Sequence, residues 1–414
     1  MQKVSDAMRC TIAFVSKPVL QLVPMLDFSR QYAPLRQEIL DAITQVCDSQ
    51  TFILGPRVAA FEMAAAAACS TSFAVGCGSG TDALWLALAA AGIGDSTRGS
   101  RAIGEGDTVV TTPFTFFATA SSILHAGARV VFADIDPRTF NLSPESVDAV
   151  LRTGAEGDVK AILPVHLYGQ CADFDGFRAL QSGRPELLLV EDAAQAFGAS
   201  WNGVPAGSLG AAAAFSFYPT KNLAAFGEAG LVTTSDAALA ERARSLRSHG
   251  MTRRYYHDEV GWNSRLDAIQ AAVLEVKLRY LPEGNQQRRE RAARYDQLFQ
   301  GAGLVASASG ATVKEGLVLP WTDPRGSHVF HQYVIRAPRR DALREYLAAH
   351  KVGSEIYYPV PLHLQAALKD LGYKAGDFPH AEAAAAEVLA LPIYPELRDD
   401  EQQTVVETIR QFYA

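Results

Sequence analysis

The chain has 414 residues, 48% of them hydrophobic and 20% charged, with a formal net charge of -7 at pH 7. That length allows two domains sharing a large core, and the composition is that of an ordinary globular protein. The acidic balance argues against a nucleic-acid binder, which usually carries a basic excess, although local basic clusters could still grip a small phosphorylated ligand.

The five cysteines (Cys10, Cys47, Cys69, Cys77 and Cys171) are scattered and include no C-x-x-C pair. They suggest reduced thiols; neither a disulfide framework nor a metal site is expected. The opening segment "MQKVSDAMRCTIAFVSKPVLQLVPML" is interrupted by Lys17 and two prolines. No stretch reaches the roughly 18–20 apolar residues of a membrane span, and no signal peptide stands out. A cytoplasmic protein with no membrane partner is expected.

In chain order, the Ala-rich segments "FEMAAAAACS" (61–70) and "WLALAAAG" (85–92) predict closely packed helices. Between them "GCGSGTDALWLAL" (76–88) reads as a Gly-rich turn opening a helix, whose free N–H groups and positive dipole end suit a phosphate. A tight turn capped by Thr81 or Asp82 accounts for it equally well. The segment "GIGDSTRGSRAIGEGD" (92–107) is polar and Gly-rich, a surface loop or insertion. From Asp107 to Ser235 short apolar or β-branched runs alternate with helical segments: "DTVVTT", "ARVVFADID", "VKAILPVHLYG", "LLLVEDAAQ", "AAAAFSFYP" and "GLVTT". Runs without alternation predict strands covered on both faces, hence a mostly parallel α/β sheet. Ligands bind beyond the carboxyl ends of such strands.

Three of those ends carry chemistry. "TTPFTFFATA" (111–120) puts aromatics after a strand, where a ring could lie on a planar ligand or pack in the core. "LLLVEDAAQ" ends on Glu191 and Asp192, which point to opposite faces, so only one can look into a site. "SFYPTKNLAAFGEAG" (216–230) holds Lys221 with no acid close by in sequence; such a lysine either snorkels to water or is kept inside for its chemistry. Beyond, helical patterns run from Arg265 to Tyr280 and through the basic run "QRRERAARYDQLF", read as a solvated helix face. "HAEAAAAEVLA" (380–390) reads as another Ala-rich helix. "HQYVIRA" predicts a strand, with "RDALREYLAAH" and "DEQQTVVETIRQFY" as helices, together a smaller α+β domain.

A phosphate cradle, an aromatic platform, an acid at a strand end and an odd lysine are what pyridoxal 5′-phosphate (PLP) requires. The chain resembles the DegT/StrS family of nucleotide-sugar aminotransferases from about Val23 to the C-terminus. The segments "FILGPRVAAFE", "GSGTDALWLAL", "TFFATA", "VHLYGQ", "EDAAQAFGA", "SFYPTKN", "GWNSRLDAIQAAVL", "YYPVPLHLQ" and "LPIYPEL" carry the resemblance.

The resemblance implies an α/β, aspartate-aminotransferase-like fold of type I. It has a mostly parallel seven-stranded sheet in a large domain (23–260), a smaller C-terminal domain (261–414) and an N-terminal extension (1–22). It implies Lys221 as Schiff-base lysine and proton shuttle, and Asp192 opposite the pyridinium. Gln195 would face the phenolic oxygen and Phe116 the ring, with Gly80, Thr81 and Ser216 on the phosphate. Asn263 would reach the phosphate of the neighbouring subunit, making a homodimer with shared sites. Arg253, Arg254, Tyr255, Tyr256, His257, Tyr357, Tyr358 and His363 fall in segments that line the sugar-nucleotide pocket in the family. Two departures stand out: Ala224 where glycine is common, and Glu228 where aspartate is usual.

L-glutamate would give its amine to form pyridoxamine phosphate, which a ketone on a nucleotide-linked sugar takes up. The wording is most similar to members acting on C3 of a dTDP-3-keto-6-deoxyhexose; a 4-keto or UDP-linked sugar is the alternative. Other readings are a sugar dehydratase, against which Lys221 argues, a non-catalytic PLP-binding regulator, and a nicotinamide-dependent oxidoreductase resting on the glycine turn alone.

Overall fold

The computed structural model describes residues 22–94, 107–154, 159–306 and 316–414. The N-terminal extension, apart from Leu22, and most of the Gly-rich loop therefore lie outside the described residues. Seven apolar runs form one sheet: β1 (Phe73–Cys77), β2 (Thr108–Thr111), β3 (Arg129–Phe132), β4 (Val159–Ile162), β5 (Leu188–Asp192), β6 (Ala212–Ser216) and β7 (Gly230–Thr234). Their spatial order is β1-β7-β6-β5-β4-β2-β3. Neighbours from β3 to β6 are parallel, and β7 runs antiparallel to both β6 and β1. The mostly parallel seven-stranded α/β sheet is the expected one.

β1 was not among the predicted strands. Its five residues, "FAVGC", are small and sit between an Ala-rich helix and a Gly turn, so no apolar run marks them.

Both faces of the sheet are covered, which is why the strands do not alternate. Val75, Val109, Val130, Val190 and Val232 point to one face, beneath α3 (Gly80–Ala90), α4 (Ala118–His125) and α7 (Ala237–Leu246). The alternate residues Val110, Val131 and Leu189 meet α5 (Pro144–Thr153) and α6 (Phe174–Ser182) on the other face. Farther along that face Ala74, Ala213, Phe215 and Leu231 pack with α1 (Phe28–Ser49), α2 (Pro56–Ala68) and α8 (Ala268–Leu278). Helix α3 is apolar nearly all round because it lies in the interior; Leu86 is fully buried there, and its truncation to alanine would cost about 2–5 kcal/mol.

The C-terminal body centres on β8 (Tyr333–Arg336) paired antiparallel with β9 (Val388–Leu391). Helices α9 (Leu281–Gly301), α10 (Arg340–Ala349) and α12 (Asp399–Tyr413) close its core around Tyr295, Phe299, Leu343 and Ile409. Pro282 falls in the first turn of α9, where its missing N–H costs nothing, so it opens this helix. Helix α11 (Pro379–Glu387) corrects one expectation. The Ala-rich segment stops being helical at Glu387, and Val388–Leu391 become β9, because the partner strand Tyr333–Arg336 needs them. Arg340 Nη1 donates to the carbonyls of Ala385 and Val388 at 3.0 and 2.8 Å, satisfying the helix end.

The expected boundaries at 22/23 and 260/261 do not follow the packing. Val23 joins the C-terminal core, its N–H bonded to the Lys351 carbonyl at 3.0 Å, whereas Ala268–Val276 of α8 pack with the sheet. Buried area, which periodicity alone does not assign to a body, decides both. Among the described residues no helix is long and apolar enough to cross a membrane.

Candidate active site

A cleft of about 670 Å³ opens where the ends of β2, β5 and β6 and the start of α3 face the C-terminal body. Strand ends and a helix N-terminus meet there because parallel strands all deliver their carboxyl ends to one edge.

Asp192 is the last residue of β5 and is 4% exposed. Its Oδ2 accepts a hydrogen bond from Thr119 Oγ1 at 2.7 Å and its Oδ1 accepts the Ala194 N–H at 3.2 Å. Burial pushes the carboxyl above the usual range, while these donors pull it back. Neither hydrogen-bond partner is a cation; the Lys221 amine acts on the carboxylate only through its field. Glu191 points the other way, accepting N–H bonds from Gly207, Leu209 and Gly210 at 2.7 to 2.9 Å and meeting His166 Nε2 at 3.0 Å. Its work is inside the fold.

Lys221 lies on the loop after β6, in a turn closed by its N–H to the Tyr218 carbonyl at 2.8 Å. Phe217, buried against Phe61 and Phe197, pins the loop from below. Asn222 pins it from the side, its Nδ2 donating to Asn285 Oδ1 and the Val329 carbonyl at 2.9 and 3.0 Å. Lys221 lines the cleft with Asp192. Burial lowers its pKa to about 8, with the Asp192 charge opposing that shift. The acid missing from its sequence neighbourhood comes from the next strand of the sheet.

At the start of α3, Ser79 Oγ accepts the Asp82 N–H at 3.1 Å, and Gly80 and Thr81 line the cleft beside Ser216. The cap is therefore Ser79, not Thr81 or Asp82. A Cβ on Gly80 would lie 2.5 Å from Ser216 Cβ. Only glycine lets the helix terminus approach this hydroxyl, and the result is a cradle of N–H and O–H donors at a positive helix end, fitted to a phosphate. Phe116 lines the cleft and is 58% exposed, its ring centroid 6.1 Å from that of Tyr358. Gln195 Oε1 accepts the Tyr168 N–H at 2.6 Å, and its Nε2 donates to Tyr358 Oη at 3.2 Å. The buried acid, the amine, the platform and the glycine-dependent cradle fit PLP.

Tyr357 and Tyr358 also line the cleft, and so does Glu228. Ala224 is buried, and its carbonyl accepts Lys277 Nζ at 2.9 Å. Other expected residues are not brought in. Arg253, Arg254, Tyr255, Tyr256 and His257 are exposed on a short hairpin, with Arg253 over the Tyr256 ring at 3.7 Å. Asn263 is exposed, its Oδ1 accepting from Arg265 Nη2 at 2.7 Å. His363 corrects its expectation: it is 2% exposed, packs on Phe378 and bonds Glu382 Oε1 through Nε2 at 3.0 Å, away from the cleft.

The sequence reading missed Thr119, Arg288 and His331, all of which line the cleft. Arg288 stood in the run read as solvated, yet it belongs to the buried stripe Leu281, Asn285, Arg288, Ala292, Tyr295, Phe299. That alternating four-and-three spacing was the available signal.

The fold and the cleft define a fold-type I, PLP-dependent aminotransferase. Residues 34–410 match the DegT/DnrJ/EryC1/StrS aminotransferase family. A pleiotropic regulatory protein of Geobacillus stearothermophilus is 47% identical over 391 residues, 94% of this chain and 98% of the relative. A UDP-N-acetyl-3-dehydro-alpha-D-glucosamine 3-aminotransferase of Acidithiobacillus ferrooxidans is 40% identical, covering 94% of this chain and 97% of its own. A dTDP-3-amino-3,4,6-trideoxy-alpha-D-glucose transaminase of Streptomyces venezuelae is 40% identical, covering 94% and 96%. Among solved structures, S. venezuelae DesV in complex with a ketimine intermediate superposes with a TM-score of 0.85 at 40% identity, over 94% of this chain and 98% of that one. Bacillus subtilis NtdA with bound pyridoxamine phosphate gives 0.80 at 27% identity, over 94% and 84%. The chain belongs to the DegT/DnrJ/EryC1/StrS aminotransferase family.

Proposed function

We propose that this cleft transfers the amino group of L-glutamate to the C3 ketone of a nucleotide-linked sugar, a dTDP-3-keto-6-deoxyhexose, for amino-sugar biosynthesis in the cytoplasm. The observation that carries the reading is the pairing of Lys221 with Asp192 in one cleft beside the Gly80–Ser216 cradle. The names of the relatives support the position, since those at 40% identity are transaminases of 3-keto or 3-amino sugars.

PLP bound here supplies an electron sink for the bonds at the donor's Cα. Asp192 would hold a proton on the pyridine nitrogen. Gly80, Thr81 and Ser216 would hold the phosphate, with Phe116 placed for the ring and Gln195 for the phenolic oxygen. Lys221, whose amine burial makes easier to deprotonate, with a pKa of about 8, would take the proton from the donor's Cα. Asn263 and the exposed hairpin (Arg253, Tyr255, Tyr256, His257) complete the site of a second copy across a two-fold homodimer, while Tyr358 meets the sugar within its own subunit.

Product identification with L-glutamate and a panel of dTDP- and UDP-linked 3-keto and 4-keto sugars tests this reading. A 3-amino dTDP product is expected; turnover confined to a 4-keto or UDP-linked sugar would replace the substrate. No turnover with any of them would favour the regulatory reading that the name of the 47% relative raises.

A further inference from the structure

Arg288 is an arginine buried inside the cleft without an acid. It is 4% exposed, and its Nη1 donates to the carbonyls of Phe330, His331 and Ile393 at 3.1, 3.4 and 3.0 Å. Nε and Nη2 have no protein hydrogen bond among the described residues, and neither is sealed in the core. Glu396 acts on the guanidinium only through its field, and burial lowers the pKa to about 10. A buried guanidinium with an open Nε–Nη2 edge is incomplete until an anion reaches it, and that edge matches a carboxylate in bidentate geometry.

Among the described residues, Lys221 and Arg288 are the only lysine and arginine lining the cleft. In the reading above Lys221 is committed to the cofactor, and the phosphate has its own cradle at Gly80 and Ser216. His331 stands between the two cations electrostatically and is held neutral by burial, with Lys221 and Arg288 adding to that shift. Its Nδ1 lies 3.2 Å from Asn222 Oδ1, which only accepts, so the proton sits on Nδ1. It therefore offers an anion no competing charge. Two further anions enter in each cycle, the diphosphate of the sugar nucleotide and the carboxylate of the amino donor; of these the donor's α-carboxylate is borne on the carbon that loses the amine, so it is the one that must enter beside Lys221.

We infer that Arg288 binds a carboxylate of the amino-acid donor through its Nε–Nη2 edge and so sets donor specificity, a reading that rests on the aminotransferase function proposed above. Nη1 fixes the guanidinium to the C-terminal body, so donor recognition is built into the junction of the two bodies.

The test separates the two half-reactions. In Arg288→Lys holoenzyme the apparent Kd for L-glutamate, read from the cofactor absorbance, should rise about tenfold or more. The pyridoxamine-phosphate-loaded variant should consume the ketosugar within about threefold of wild type. Calorimetry with glutarate, which carries no amine, should show the same weakening. Wild-type enzyme should discriminate against the α-amide or the γ-amide of glutamate, and Arg288→Lys should lose that discrimination; the amide affected identifies the carboxylate bound. An equal fall in both half-reactions would assign Arg288 to structure alone and overturn the inference. So would unchanged glutarate affinity, or loss confined to an acidic ketosugar. Should the variant not fold, wild-type indifference to both amides would overturn it and discrimination would support it. If wild type converts no amino acid at all, the proposed function falls, while loss of glutarate binding in the variant would still place a carboxylate on Arg288.

Discussion

Asp192 and Glu191 are adjacent on β5, yet Asp192 receives one hydroxyl at 2.7 Å and one N–H at the cleft while Glu191 receives three backbone N–H groups inside the fold. Asp192→Asn keeps the shape and removes the charge, so the half-reaction with L-glutamate should slow by about a hundredfold or more, with little loss of stability. Glu191→Gln should do the reverse, costing about 2–3 kcal/mol in denaturant unfolding because an amide N–H₂ faces buried donors. A near-wild-type rate for Asp192→Asn with a dead, well-folded Glu191→Gln would show that the other carboxylate is the catalytic one.

The approach of Gly80 to Ser216 makes the cradle sensitive to one methyl group. A Gly80→Ala Cβ meets Ser216 Cβ at 2.5 Å and its Oγ at 2.9 Å. Apoprotein of this variant should bind PLP about tenfold or more weakly by fluorescence titration and lose about 1–3 kcal/mol of stability. Unchanged affinity would remove the phosphate from this helix end.

The lowered pKa of Lys221 predicts a pH profile for cofactor capture. With a value of about 8 the amine is increasingly free above that pH and protonated below it. The rate at which apoprotein forms its PLP adduct should rise about tenfold per unit up to roughly pH 8 and then level. The stability sign follows too. The unfolded lysine, near 10.5, binds more protons than the folded one between about 8 and 10.5, so this group's contribution to stability rises with pH across that window. A break near 10.5 in the capture profile would mean an ordinary solvated lysine.

Asn263 is exposed and outside its own cleft, as a residue serving a second copy would be. Lys221→Ala and Asn263→Asp proteins should each be inactive, the second because a carboxylate faces a phosphate. Mixed and re-annealed, they should regain about a quarter of the wild-type sites, since each hybrid two-fold dimer holds one intact site. No recovery, or an active monomer by sedimentation, would contradict shared sites.

The sequence by itself determined the covered strands after Asp107, the glycine turn opening α3, and the lysine and acid, because each leaves a local signature: unbroken β-branched runs, Gly–Ser spacing, a charge among apolar residues. It did not reveal β1, whose small residues make no apolar contrast, nor the end of α11, where a partner strand more than fifty residues away converts an Ala-rich run into β9. Tertiary structure alone decided that Glu191 is spent on the Gly207, Leu209 and Gly210 N–H groups, that His363 turns to Glu382, and that Arg288 lies inside. The reason is that burial of a polar side chain depends on partners supplied by distant segments. Carbonyls from Phe330 and Ile393 let a guanidinium from a seemingly solvated helix enter the cleft, and no spacing along α9 names those partners.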